Sequence, residues 1–373
     1  MHKWFIKRKS LKLTYLVISA IILIIYIVNG QVFFFRKLEN KNLLAQFLSD
    51  AIPIFYDFNH INCALLEKVI FGFNISSPMS IIESNVFAFS SLERKEEVVI
   101  EAEKEPVEDL SEAKPIKETT ISYKNPKGYY EAEGVLVKNA TTYDFNPQEL
   151  LDEPLKFDFS GVGPHVLIVH SHSSESYTAT DKNYYLPTDP SRTEDINYNV
   201  VRVGTEIKNT LKVYGIEVLH DTKLHDYPSY NGSYKSSLAS VEEYLKKYPS
   251  IKIVLDIHRD AMVQADGTKL KLVSDINGQK AAQIMLLTGS NQGGLNHPNW
   301  RENLKFAMKL QRTVNAMYPT LARPVSFTKE RYNTHTTYGS IIIEVGTNGN
   351  TLEEALVSAK CIGNAVASFI TNN

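Results

Sequence analysis

The chain has 373 residues, 43% of them hydrophobic and 22% charged, which is apolar material for about two packed domains. Forty basic against 42 acidic side chains leave a net charge of −2, and this removes the electrostatic case for a nucleic-acid partner. Two cysteines, Cys63 and Cys361, are too few for a disulfide framework or a thiolate metal cluster, and whether they pair is left open by the sequence.

Leu13 to Phe35 is a run of 23 residues without a charge. As a helix it would reach about 34 Å, enough to cross a hydrocarbon core of about 30 Å. Lys3, Lys7, Arg8, Lys9 and Lys12 precede it, and the first acid is Glu39. The positive-inside rule then places residues 1–12 in the cytoplasm and everything after the span outside. The run ends in Asn29, Gly30 and Gln31 and then more aromatics, without a small-residue cleavage site, so residues 13–35 read as an uncleaved single-pass anchor. Residues 36–122 read as a juxtamembrane region and an acidic linker. Between Ser91 and Thr120 ten acids face five bases, aromatics are absent, and Pro106 and Pro115 interrupt any long helix. Such a stretch buries too little apolar surface to offset its ordering entropy.

From Tyr123 to Asn373 the pattern is that of an α/β domain. His165–His170 has buried-strand length and composition. Asn199–Tyr214 is an amphipathic helix with Val200, Val203, Ile207, Leu211 and Tyr214 on one face, and Gly215 stands where it should stop. Ile216–His220 is the next strand, Ser240–Lys247 a helix, and Ile251–His258 another buried strand. Gln283–Gly289 and Ser340–Val345 add two strands, and Arg301–Met317 and Thr351–Ile370 add two helices. Thr351 with Glu354 three residues on has the form of a capping box. This alternation predicts a mostly parallel central sheet with helices on both faces.

Three polar clusters follow apolar strands: His170-Ser-His172-Ser-Ser-Glu175, Asp256-Ile-His258-Arg259-Asp260, and Glu344 at the end of Ile341-Ile342-Ile343. Ligands of open α/β sheets bind at the C-terminal ends of the strands. Two imidazoles and a carboxylate converging there match the protein ligands of a catalytic zinc, with a second carboxylate as general base. The serines around His172 lack a Gly-x-Ser-x-Gly elbow, which argues against a serine nucleophile. A carboxylate among four apolar neighbours, as at Glu344, costs several kcal/mol if buried without a partner, so it calls for an exposed strand end or a cation.

His170-Ser-His-Ser-Ser-Glu-Ser-Tyr177 resembles the signature of the stage II sporulation protein P family. So do Asn199-Val-Val-Arg-Val-Gly204, His225-Asp226, Asp256-Ile-His-Arg-Asp260, His297-Pro-Asn-Trp300, Arg331-Tyr-Asn333 and Ile343-Glu-Val-Gly346, all in unbroken order. The resemblance implies a zinc-dependent peptidoglycan hydrolase. Its activity would be that of an N-acetylmuramoyl-L-alanine amidase cleaving the lactyl–L-alanine amide, with or without cross-link endopeptidase activity. It implies action at the septal membrane of the mother cell during engulfment, alongside stage II sporulation proteins D and M. Carried over residue by residue, a first-motif histidine, Glu175 and His258 would hold Zn2+ and Glu344 would be the catalytic carboxylate; His170 is favoured because it directly ends the apolar strand. His172 is the alternate ligand or a substrate contact, because residues two apart in an extended chain share a face. Arg259 or His335 would support the oxyanion, and Asp256 or Asp260 would orient His258. Serines at Ser171 and Ser173 depart from the threonines of the family pattern, and neither change removes a proposed ligand. A peptidase-only enzyme and a wall-binding protein without turnover are the competing expectations.

Overall fold

The computed structural model describes residues 110–122, 127–179 and 181–372. The expected anchor at residues 13–35, the juxtamembrane region and Cys63 lie outside them. Among the described residues no helix is long and apolar enough to cross a membrane. The elements in chain order are β1 (Lys114–Thr119), β2 (Tyr130–Ala132), β3 (Val135–Asn139), α1 (Pro147–Asp152), β4 (Val166–Val169) and β5 (Tyr184–Tyr185). They continue with α2 (Val200–Val213), β6 (Val218–His220), α3 (Ser233–Lys247), β7 (Ile253–Asp260), β8 (Lys269–Ile276) and β9 (Gln279–Ala282). The last are β10 (Ile284–Thr288), α4 (Trp300–Met317), β11 (Val325–Phe327), β12 (Gly339–Thr347) and α5 (Leu352–Thr371).

Eight strands form the main sheet in the order β2-β3-β11-β10-β12-β7-β4-β6. Of its seven pairings, β2–β3 and β10–β12 are antiparallel and the other five parallel, so the expected mostly parallel sheet is a mixed one. Of the five strands recognised in the sequence, β4, β6, β7 and β12 are the contiguous parallel half, and β10 lies antiparallel beside β12. Strand alternation sorts their side chains between two layers. Val166, Ile168, Ile253, Leu255, Ile257, Ile341 and Ile343 join the large core under α2, α4 and α5. Leu167, Val169 and Val254 face the other way and pack with Val241 of α3 in a smaller cluster. Helices thus cover both faces, as the alternation predicts, but α1, α2, α4 and α5 pack into the larger core and α3 alone into the smaller.

The helix ends follow their sequence signals. The Asn199 side chain accepts from the Val201 amide at the start of α2, and Thr351 and Glu354 form a complete capping box on α5. α3 begins at Ser233, seven residues before the expected Ser240, because its first turns bury Ser233 and Ser237 rather than apolar side chains. The acidic linker expected to run to residue 122 ends earlier. Lys114–Thr119 pairs in parallel with β8 in a second, four-stranded sheet of order β5-β1-β8-β9. In that sheet β8 turns into β9 through Asn277-Gly278, both at positive φ, the chemistry of a two-residue hairpin. Cys361 is buried on α5, and burial pushes its thiol up to about 11.

Candidate metal centre and active site

β4 ends at Val169, and the chain then turns through Ser171–Ser174. The turn is built by its own polar side chains. The Ser171 amide and hydroxyl donate to the two carboxylate oxygens of Asp256 (2.8 and 2.6 Å). Ser173 Oγ donates to the His170 carbonyl (2.7 Å), and Ser174 donates from its amide and hydroxyl to Asp226. The serines are therefore committed to holding the loop, consistent with the absence of a nucleophile elbow.

This turn decides which first-motif histidine meets the others. His170 still has the outlook of Val166 and Ile168. It is fully buried against α2, its Nδ1 3.0 Å from the Ile257 carbonyl and its Nε2 2.8 Å from His220 Nε2. Its contact with Gly204 is so close that a Cβ there would lie 2.7 Å from the ring. Burial holds the imidazole down near pKa 4. The expectation that His170 is the ligand is thus corrected. The shared-face argument fails because the strand ends before His172, which the turn swings to the other side of the sheet.

There His172, Glu175 and His258 bring their ligand atoms within 4.8 Å of one another. Glu175 Oε1 is 3.3 Å from His172 Nδ1, and Oε2 is 3.5 Å from His258 Nδ1. His258 Nε2 lies 2.9 Å from Asp256 Oδ1, so Asp256, not Asp260, orients the ring. Asp260 instead pairs with Arg323 at 2.8 Å. Burial alone would raise the Glu175 carboxyl, but hydrogen bonds from His172 and His258 and the charges of His258 and Arg259 outweigh it and hold it well below the carboxylate range. Burial likewise opposes the charge on His258, yet Asp256 and Glu175 raise its pKa well above the ordinary value. The cluster is thus a place where two carboxylates demand a cation, and a proton on His258 supplies it. A divalent ion fits the same demand. The donors are two imidazoles and a carboxylate, and one imidazole already has the carboxylate partner that steadies metal-bound histidine.

Glu344 stands beside this group. It pairs with His258 across the parallel β12–β7 ladder, so the two side chains share a face. Its Oε2 is buried and has no hydrogen-bond partner. Burial pushes the carboxyl up to about 8, with Glu175 and Asp260 adding to the shift and His258 opposing it. Directly after Glu344 the ladder loses register, and Gly346 takes φ 69°. A Cβ on Gly346 would come within 2.8 Å of Ala282 Cβ and 2.9 Å of Asn350 Oδ1, which accounts for glycine in Ile343-Glu-Val-Gly346.

Arg259 does not face the cluster. Strand alternation points it away from His258, and its guanidinium donates to the carbonyls of Ser176 and Ser191 at 2.8 Å each. Only its backbone amide reaches the site, donating to Glu175 Oε2 at 3.2 Å. Its place is thus that of a clamp on the loop carrying Glu175, and the expected oxyanion role is corrected. His335 packs near His297, ring centroids 6.2 Å apart, with its imidazole held down near pKa 4 by burial.

Four residues not singled out as site candidates complete the surround. Tyr230 stacks on His172 at 4.7 Å, and Tyr234 lies edge-on to His172 at 5.2 Å and stacks on His258 at 6.3 Å. Tyr332 packs on Tyr234 at 5.4 Å. Arg192 spans Asp226 (2.6 Å) and Glu175 (3.4 Å) beneath the Tyr230 ring. Tyr230 lies in the loop before α3 and Tyr234 in its first turn, with Gly232 at φ 91° between them, so no periodicity marks the pair. Arg192 stands among loop residues with no pattern to mark it.

The family model for Stage II sporulation protein P (SpoIIP) matches residues 64–367. Stage II sporulation protein P of Bacillus subtilis (strain 168) is 28% identical over 201 residues, 51% of this chain and 47% of that protein. The chain therefore spans about half the length of the curated relative it matches. Among solved structures, the N-acetylmuramyl-L-alanine amidase Ami1 from Mycobacterium smegmatis overlays 58% of this chain and 100% of its own, at 12% identity and a TM-score of 0.33. The N-acetylmuramoyl-L-alanine amidase from Clostridium difficile 630 overlays 56% of this chain and 98% of its own, at 15% identity and a TM-score of 0.34. At such scores the likeness is too loose to argue from.

Proposed function

The chain belongs to the stage II sporulation protein P family, and from that premise we propose that it is a zinc-dependent peptidoglycan hydrolase acting in sporulation. The observation that carries the reading is the convergence of His172, Glu175 and His258 beside Glu344, whose buried Oε2 has no hydrogen-bond partner. In this reading His172, Glu175 and His258 hold the metal. The bond cut is the amide between the lactyl group of N-acetylmuramic acid and L-alanine. Cross-link endopeptidase activity, stage II sporulation proteins D and M as partners, and a membrane anchor at residues 13–35 belong to the same proposal.

Bound zinc would supply a Lewis acid that polarises the scissile carbonyl and brings the pKa of water toward about 7. The rest of the chemistry falls to the chain's own side chains. Glu344, ionised, accepts the proton of the attacking water and delivers it to the departing nitrogen, so that the amine leaves neutral. Asp256 fixes which nitrogen of His258 faces the cluster. Tyr230 and Tyr234 wall the site with apolar ring faces, which strengthens every charge interaction inside it.

The test is digestion of purified peptidoglycan by the full-length chain, with and without chelator, followed by mass spectrometry. Stem peptides beginning at L-alanine, lost on chelation and restored by zinc, are expected. Shortened cross-links with sugars still attached would replace the amidase by an endopeptidase. Undiminished cleavage in chelator would refute the metal.

A further inference from the structure

The loop that carries Glu175 toward the metal cluster has a second side. There Ser176–Ala179, residues 189–195 and the start of β8 enclose a cavity of about 400 Å³, a size common for small-ligand sites. None of His172, Glu175, His258 or Glu344 lines it. Lys269, the first residue of β8, is only 8% exposed, and its ammonium reaches the cavity wall over the Tyr185 ring, 3.6 Å from the centroid. No hydrogen bond or ion pair joins its ammonium to a described residue, and the charge of Asp189 acts on it only at longer range. The buried lysines elsewhere are answered differently. Lys271 has Glu354 at 2.7 Å and Lys305 has Glu302 at 3.0 Å.

An ammonium carries three donors, and a ring face satisfies the charge only in part. A ligand oxygen would complete the shell of Lys269. Yet the same cavity is bordered by Asp189, Asp195 and Glu353, all exposed. A simple anion would meet three carboxylates there, and a simple cation would leave Lys269 unanswered. A group carrying both charges close together meets both demands, and Tyr177 and Tyr198 offer ring surface for the atoms between.

We propose that this cavity binds a free amino acid or a dipeptide as its zwitterion, the carboxylate on Lys269 and the ammonium among Asp189, Asp195 and Glu353. The site goes beyond the hydrolase reading and needs no metal. The probe is glycylglycine, titrated into the full-length chain and followed by ligand-observed NMR. Saturable millimolar binding is expected. N-acetylglycylglycine, glycylglycinamide and the Lys269→Met variant should each weaken it at least about tenfold, the scale of a lost charge-assisted hydrogen bond. Exposed Glu353→Gln, which leaves the core intact, should weaken it by a smaller factor. Absence of saturable binding, binding unchanged in Lys269→Met, or N-acetylglycylglycine bound as well as the parent would each overturn the proposal. Because no wall cleavage is read, any of these results leaves the hydrolase reading standing.

Discussion

Glu344→Gln should make the metal-stripped protein more stable at neutral pH, and the gain can be worked from the site. In the unfolded chain a glutamate carboxyl ionises above its ordinary value of 4.5, whereas in the fold burial holds Glu344 protonated up to about 8. Between those values the unfolded state releases a proton that the native state keeps. Stability therefore falls as pH rises through this window, by about 1.4 kcal/mol per pH unit, or about 3 kcal/mol at pH 7. Glutamine has the same shape and no proton to release, so the variant should match the parent near pH 4 and exceed it by about 3 kcal/mol at pH 7. Urea unfolding of both proteins at intervals from pH 4 to pH 8, after metal removal, reads this difference. Two curves that run parallel over the whole range would refute the argument, because Glu344 would then be ionised in the native state as easily as in the unfolded chain. With zinc restored, the same substitution should leave metal content unchanged and cost at least about 100-fold in hydrolysis, the scale of a lost general base. The residue would thus be destabilising in the resting fold and indispensable in the working one.

The two first-motif histidines separate cleanly by substitution. His172→Ala should abolish stoichiometric metal binding, measured by elemental analysis, while His170→Ala should keep the metal and lower stability by about 2–4 kcal/mol, because it empties a fully buried site between β4 and α2. Asp256→Asn should weaken metal affinity about 10- to 100-fold in a competitive chelator titration, through lost orientation of His258. Since His258 is protonated without metal at neutral pH, ion binding should expel a proton. Calorimetry in buffers of different ionisation enthalpy would show this as a buffer-dependent heat, and a buffer-independent heat would remove His258 from the ligands.

The parallel half of the fold was legible because its strands are buried on both faces and read as continuous apolar runs, as in Val166–Val169 and Ile341–Ile343. β10 was legible as a strand but not in its direction against β12, and β2, β3, β9 and β11 escaped notice because they are short and partly exposed. At the site, Glu175, His258 and Glu344 announced themselves as charges next to buried strands. The choice between His170 and His172 turned on where β4 stops, a boundary set by the hydrogen bonds of Ser171 and Ser173 to residues far along the chain. Arg259 misled for a similar reason. Adjacency to His258 in sequence means the opposite side in a strand, and its partners are carbonyls, which carry no sequence signal.

The placement of β12 also bears on how the chain behaves while it is being made. His172 and Glu175 emerge first, His258 more than 80 positions after them, and Glu344 a further 86 positions on. β12 is the strand that joins β7 to β10 in the middle of the sheet, so an unfinished chain lacks both the carboxylate at residue 344 and the seam between the sheet's halves. Premature termination anywhere before β12 should thus yield a product without the central seam of its sheet and without the carboxylate at residue 344. In the proposed reading the metal ligands are made before the catalytic carboxylate, so a nascent wall hydrolase would stay inert until β12 takes its place.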